Sequence, residues 1–310
     1  MRALILGGSG FIGSHLAIAM ANEGYDVEVL SRNPDSCIKL FNHPKIFCSP
    51  WDGLSIQNLE PYVEGCDVVI NLIGESLGNK KWSETQRSIL LNSRLNATKA
   101  LAESIKAVHV KPKIVVQASA VGFYGYDYKG NPEVDEFAES GKGFLSLLTQ
   151  QWEDAILPVK NVVQRLLIIR SGIVLHPKGG FLQKLFPVFN FGAGGYLGDG
   201  YQPFPWIALE DEVGAIIFLV KDKNALGVYN LVAPQLVEYR DFTRFFSRVI
   251  KRPAFLNLPE KLVKVFFGEE KSKELLLGGR FVLPRRLVDQ GYIFKNTSIL
   301  DALETMYKRK

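Results

Sequence analysis

Three cysteines, three methionines and four histidines are all that 310 residues hold of the side chains that build metal sites and disulfide frameworks. Cys37, Cys48 and Cys66 have no metal-ligand spacing and are odd in number, so a reducing compartment is expected. His15, His43, His109 and His176 lie far apart in the chain, and no metal site is expected from them. No apolar run approaches the length that crosses a bilayer. The first strand is expected to start at residue 2, so no signal or transit peptide is expected within the chain as given. One-signed charge is scarce too. The net charge is +5 with lysines and arginines scattered, and the basic stripe of a nucleic-acid binder is missing. The tail Tyr307-Lys-Arg-Lys310 reads as a solvated helix end. No Gly-x-Ser-x-Gly elbow occurs and no Walker lysine follows the glycine-rich loop, which removes the hydrolase and NTPase classes. What remains is a cytoplasmic protein. Its expected partners are a small-molecule substrate and at most a second copy of itself in a homodimer, with neither nucleic acid nor membrane.

What is present is an ordinary globular composition, 47% hydrophobic and 22% charged, long enough for one domain plus a smaller lobe. The chain is organised around its start. Ala3 to Leu6 is an apolar strand entering a glycine cluster at Gly7, Gly8, Gly10 and Gly13, and a helical stretch, Phe11 to Glu23, follows at once. Strand, glycine loop and helix in that order make a dinucleotide site. The first glycines permit a turn with positive φ, Gly10 leaves a pyrophosphate room, and Gly13 lets helix and strand approach. The phosphates would rest on free N–H groups of Phe11, Ile12 and Gly13 at the helix start.

A second strand, Asp26 to Ser31, ends where the adenosine ribose would lie. NAD-preferring sites put a carboxylate there, but this chain has Ser31-Arg32. A guanidinium there binds a 2′-phosphate, and charged hydrogen bonds of roughly 1.5–3 kcal/mol favour NADP over NAD about tenfold or more. Asp52 either reaches the adenine amino group or makes a turn with Gly53. Cys66 to Gly74 reads as a buried parallel strand whose exit, Leu72-Ile73-Gly74, lies where open α/β sheets bind ligands. A long helix from about Ser83 to Val108 carries Arg94, and the strand from Lys113 to Ala118 exits through Ser119-Ala-Val-Gly-Phe-Tyr-Gly125. Tyr126 to Gly141 reads as a polar loop with a solvated acidic run at Glu133, Asp135, Glu136 and Glu139. A helix over Phe144–Ile156 and a strand over Asn161–Ile169 follow. Strands alternating with helices predict a Rossmann-type, doubly wound parallel sheet. Lys178 to Trp206, where glycines cluster with aromatics, reads as a loop lining a cleft. The remainder is mostly helical. The domains expected are residues 1–177 for the dinucleotide domain, with 207–233 returning to it, and 178–206 with 234–310 for a mostly helical substrate lobe.

Several stretches together resemble a known group. Gly7-Gly-Ser-Gly-Phe-Ile-Gly13, Val69 to Gly74, Lys81-Trp82-Ser, Asn92-Ser-Arg94, Ala118 to Gly125, Gln151-Trp-Glu153, Leu167 to Leu175 and Gly200 to Ile207 are similar to the extended short-chain dehydrogenase/reductases. More narrowly they resemble the atypical branch called epimerase family proteins. Leu283 to Phe294 resembles that branch's C-terminal module, at about 257–308. The resemblance implies NADP as cofactor and a substrate lobe, but no particular substrate.

The departures from that superfamily carry as much meaning. Its usual proton donor is a tyrosine with a lysine four residues later, on one helical face, where the lysine lowers the tyrosine pKa. No Tyr-x-x-x-Lys occurs in this chain; Phe144-Leu-Ser-Leu-Leu-Thr149 stands on the helix that would carry it. Ser119 matches the superfamily serine, and Arg94 stands where an asparagine is usual. Tyr201 and Ala208 replace the arginine and histidine common in the branch. The residues expected to carry chemistry are therefore Ser119 on a carbonyl oxygen, Tyr124 as acid, and Arg94 on the substrate. Ser119 and Arg94 also border the cofactor. Hydride transfer to or from a small carbonyl or alcohol is the first reading. An NADPH-sensing regulator with little or no chemistry, for which the resemblance leaves a link to cell division open, is the second, and a nucleotide-sugar epimerase the third.

Overall fold

The structure, a computed structural model, describes residues 1–56, 58–128 and 133–308. Its first half alternates as expected: β1 (Arg2–Leu6), α1 (Phe11–Asn22), β2 (Asp26–Ser31), α2 (Pro34–Phe41), β3 (Ile46–Pro50), α3 (Glu60–Val63), β4 (Val68–Asn71), α4 (Glu84–Ala107) and β5 (Ile114–Ala120). There follow β6 (Glu133–Val134), α5 (Phe144–Ile156), β7 (Arg165–Ser171), β8 (Ile173–His176), α6 (Gly180–Asn190), β9 (Trp206–Ala208), α7 (Leu209–Lys221) and β10 (Gly227–Leu231). The last part holds α8 (Tyr239–Ile250), α9 (Glu260–Phe267), α10 (Glu269–Lys271), β11 (Phe281–Val282), α11 (Arg285–Asp289) and α12 (Ile299–Lys308). Seven strands form one parallel sheet in the order β10-β7-β5-β4-β1-β2-β3. The order turns back between β4 and β1, and the C-terminal ends there are the binding edge of such a sheet.

Alternate residues of these strands feed two cores, because side chains point to opposite faces with a period of two. Leu4, Leu6, Val69, Val115 and Ile168 pack with Ala97, Leu101 and Ile105 of α4 and Ile156 of α5. Ile5, Val29, Ile70, Val116 and Ile169 meet Leu16 and Met20 of α1 and Ile216 and Leu219 of α7. With helices on both faces the central strands β1, β4, β5 and β7 are buried on both sides and read as continuous apolar runs. A third core, Leu182, Phe189, Phe204, Phe242, Phe246 and Leu303, joins α6, α8 and α12, with the Phe204 and Phe242 rings stacked at 4.3 Å. No helix among the described residues is long and apolar enough to cross a membrane.

Three expectations are corrected. The stretch Lys178–Trp206 is not one loop. Between Gly180 and the glycines at Gly192, Gly194 and Gly195 runs α6, which buries Leu182 and Phe189 and tolerates Pro187 within it. The acidic run is not simply solvated, since Glu136 is buried and accepts from the N–H groups of Asn230 and Arg286. Cys37 and Cys48, from which no disulfide is expected in a reducing compartment, form one that ties α2 to β3. Of the basic tail, Arg309 and Lys310 lie outside the described residues, as do residues 129–132 of the expected polar loop.

Candidate functional site

The glycine loop is built as its spacing requires. Gly7 has a φ of +78°, and a Cβ on it would lie 3.0 Å from the carbonyl of Leu72, so the loop packs directly on the exit of β4. A Cβ on Gly13 would stand 2.3 Å from the Gly7 carbonyl oxygen and 2.7 Å from Gly8 Cα; only glycine lets α1 start so close to the loop. Gly10 is exposed and forms the helix N-cap with no side chain to take the first amides. The first intrahelical bond is from Ser14 N–H to the Gly10 carbonyl at 2.9 Å, so the N–H groups of Phe11, Ile12 and Gly13 precede it. A cradle with free donors, a helix dipole and no Cβ at Gly10 fits a pyrophosphate. The Phe11 ring is itself held by the start of α6: Cβ atoms on Gly179 and Gly180 would fall 2.3 and 2.8 Å from it.

At the end of β2, Ser31 Oγ donates to the Asn33 carbonyl and accepts from the Asn33 N–H, both at 3.1 Å. Arg32 is exposed and its guanidinium has no protein partner among the described residues. It stands ready for an anion. Asp52 follows the turn reading. Its Oδ1 accepts from the N–H groups of Leu54 and Ser55 at 2.8 Å, and those two bonds hold its carboxyl below the ordinary range, so this oxygen is not available to an adenine.

Ile73 N–H bonds to Asn71 Oδ1, and Gly74 lies against Arg94, whose guanidinium carbon would be 2.9 Å from a Cβ there. Arg94 is 7% exposed, donates from Nη1 to the Leu90 carbonyl and from Nη2 to that of Glu75, and stacks over Trp152 at 5.0 Å. Burial brings its pKa down to about 10. Its Nε alone is buried without a partner. Arg94 therefore braces the exit loop of β4, with one donor left over.

The end expected to carry chemistry, called the reaction end, is a closed chain of polar groups. Ladder register sets Ser119 of β5, Arg170 of β7 and Asn230 of β10 in one row on the face covered by α5. Ser119 Oγ donates to Glu153 Oε1 at 2.6 Å. Arg170 binds the same carboxylate with two bonds of 2.8 Å, from Nε to Oε1 and from Nη2 to Oε2. Its Nη1 donates to Tyr124 Oη at 3.0 Å, and that hydroxyl donates to Asn230 Oδ1 at 2.7 Å. The Arg170 guanidinium also lies 3.3 Å from the Phe123 ring centre. This corrects the role expected for Tyr124. It is 1% exposed, both ends of its hydroxyl are engaged, and burial raises its pKa, so it does not face the cleft as an acid.

Sequence reading missed Glu153, Arg170 and Asn230 as a group because they come from three separate segments. The signal was there: Ser119, Arg170 and Asn230 are polar interruptions near the ends of otherwise apolar strands, and a buried polar group must be paired. It also missed Glu212, fully buried beside Ser171, whose Oγ donates to it at 2.5 Å; burial pushes its carboxyl up to about 8. A last missed contact is Glu274, which accepts from the N–H groups of Phe144 and Leu145 and so caps α5 from the C-terminal region. On α5, which has no Tyr–Lys pair, Leu145 is apolar and the Thr149 hydroxyl turns back to the Leu145 and Ser146 carbonyls.

A parallel sheet wound in this order, with a glycine loop after β1 and a serine at the end of β5, defines a Rossmann-type protein of the extended short-chain dehydrogenase/reductase kind. Residues 3–142 match the NAD dependent epimerase/dehydratase family, and residues 258–306 match a domain of unknown function, DUF1731. An epimerase family protein of Mycobacterium leprae is 36% identical over 96% of this chain and 93% of its own length. The mouse epimerase family protein SDR39U1 is 33% identical over 98% of this chain and 99% of its own. The chain belongs to this family of epimerase family proteins. Among solved structures, human SDR39U1 (isoform 2) with NADPH superposes with a TM-score of 0.87 at 30% identity, covering all of both chains. UDP-glucuronic acid 4-epimerase from Bacillus cereus, in complex with NAD, has a TM-score of 0.75 at 19% identity over 99% of this chain and 96% of its own, and shares the fold.

Proposed function

We propose that the chain binds NADP(H) along the C-terminal edge of its sheet and acts as an oxidoreductase on a small carbonyl or alcohol. The observation that carries the cofactor is the unpaired Arg32 beside an uncapped helix start. The N–H groups of Phe11, Ile12 and Gly13 hold the pyrophosphate, and Arg32 pairs with the 2′-phosphate through charged hydrogen bonds. The human relative solved with NADPH supports the same choice. When bound, the nicotinamide supplies the site of hydride exchange. Ser119 meets the substrate oxygen, and Arg94 keeps the Gly74 loop in place beneath it.

An NADPH sensor with little chemistry is the second reading. It is favoured by one observation: the hydroxyls of Ser119 and Tyr124 are both already engaged inside the protein. Titration with NADPH and NADH tests the cofactor. Arg32→Ala is expected to weaken NADPH about tenfold or more and leave NADH unchanged. No binding of either nucleotide would remove the whole reading. NADPH oxidation and NADP+ reduction across carbonyl and alcohol panels then separate enzyme from sensor, with Ser119→Ala as the control that must lose turnover.

A further inference from the structure

The bonding of Ser119 decides what it can offer a ligand. An ionised carboxylate only accepts hydrogen bonds. Both oxygens of Glu153 accept from Arg170 in a two-bond fork at 2.8 Å. The Ser119 proton is therefore directed at Glu153 Oε1, 2.6 Å away. The rest of the chain fixes Arg170 in turn. Asn230 gives its amide to the Leu283 carbonyl, so its Oδ1 faces Tyr124; Tyr124 accepts from Arg170 and must pass its own proton to Asn230. Every hydrogen in the row has a direction, and none of them turns Ser119 around.

We propose that Ser119 is an acceptor in the substrate site, and that the substrate presents a hydroxyl to it: the ligand that fits is the alcohol partner of the redox pair, not the carbonyl. This rests on the reading of Ser119 as the substrate contact. A carbonyl oxygen brought to Ser119 meets lone pairs only. To receive a proton from Ser119 it must take it from Glu153, leaving that buried oxygen with the arginine alone. A hydroxyl meets no such conflict, since it donates to Ser119 while Ser119 goes on donating to Glu153. The position that serves elsewhere to hold a carbonyl is thereby turned by Glu153 and Arg170 into one that selects a donor.

The test is binding rather than turnover. Matched probes (cyclohexanol with cyclohexanone, glycerol with dihydroxyacetone) are titrated by ligand-observed NMR into the full chain, free and with NADP+. The alcohol of each pair is expected to bind about tenfold more tightly, the worth of one hydrogen bond to a neutral donor. Ser119→Ala should abolish that preference. Glu153→Gln should reverse it, because the amide can donate to Ser119 Oγ and release the serine proton towards the cleft. Should Glu153→Gln not fold, as thermal melting would reveal, Ser119→Ala carries the test alone. Equal or tighter binding of the ketones to the wild type, or an alcohol preference that survives Ser119→Ala, overturns the proposal. If no probe binds while NADP+ does, the substrate reading of Ser119 falls with it. If NADP+ fails to bind while the free protein still prefers alcohols, only the cofactor reading falls.

Discussion

The two ends of the binding edge are built on opposite plans. At the nucleotide end, the donors are left over: three helix amides without a side-chain cap and an exposed arginine without a partner among the described residues. At the reaction end the polar groups satisfy one another, from Ser119 through Glu153, Arg170 and Tyr124 to Asn230. A ligand can bind the first by filling vacancies. It can engage the second only through what that internal chain leaves free. The lesson is that one edge of a sheet can carry a ready anion site beside a site whose chemistry is set by its own second layer of residues.

Breaking the closed chain should give the largest effect. Arg170→Met leaves Glu153 buried and unpaired, and removing one partner of a buried pair costs about 3–5 kcal/mol. The midpoint of urea unfolding should fall accordingly. Replacing Glu153 as well, with methionine at both positions, should recover much of the loss, because apolar pairs of similar volume replace buried ion pairs at little cost. A single variant as stable as wild type would mean that the reaction end is not closed by this pair.

Glu212 sharpens the same contrast through pH. Folded, its carboxyl keeps its proton up to about pH 8, whereas an unfolded glutamate loses it near 4.5. Between those values the folded state binds more protons than the unfolded one, so this group's stabilisation is complete below pH 4.5 and drains away as pH rises towards 8. Glu212→Gln should remove that slope and raise stability at pH 8 by on the order of a few kcal/mol, while Ser171 Oγ still finds an oxygen. Melting temperatures at pH 5 and pH 8 check it: the gain must grow with pH.

How much could be read in advance follows from the same division. The nucleotide end sits within one short stretch, where strand, glycines and helix are adjacent, and its donors need no distant partner. Local sequence suffices there: the positive φ of Gly7 and the close approach at Gly13 were legible. The reaction end draws Ser119, Glu153, Arg170 and Asn230 from four segments: ladder register puts the serine, arginine and asparagine in one row, and α5 lays Glu153 over it. Tyr124 shows the failure most plainly: beside a candidate serine it reads as an acid, yet its environment is fixed by residues 46 and 106 positions away. Helix α6 was missed for a different reason, since the glycines that flank it outweighed the uninterrupted run between them.

Gly13→Ala tests whether the open end tolerates any filling. The new methyl would meet backbone on two sides, Gly7 O at 2.3 Å and Gly8 Cα at 2.7 Å, and backbone cannot swing aside as a side chain does. A loss of about 1–3 kcal/mol is expected from such overpacking. NADPH affinity should fall further than stability does, because the amides of Phe11 and Ile12 shift with the loop. Calorimetric titration beside a melting curve separates the two.

The smallest effect asked of the comparison is at Asn33. Its side chain caps α2 by accepting from Ser36 N–H at 3.2 Å, next to the unpaired Arg32. Asn33→Ala should cost about 1 kcal/mol of stability, the worth of one N-cap. It should scarcely change NADPH affinity, since Ser31 holds the same turn through the backbone of residue 33 and the disulfide still ties α2 to β3. Unfolding midpoints and NADPH titrations on the one variant measure both. Should affinity drop as far as it does in Arg32→Ala, then Arg32 is aimed by the cap rather than merely left free, and the nucleotide end would depend on its supporting residues as the reaction end does.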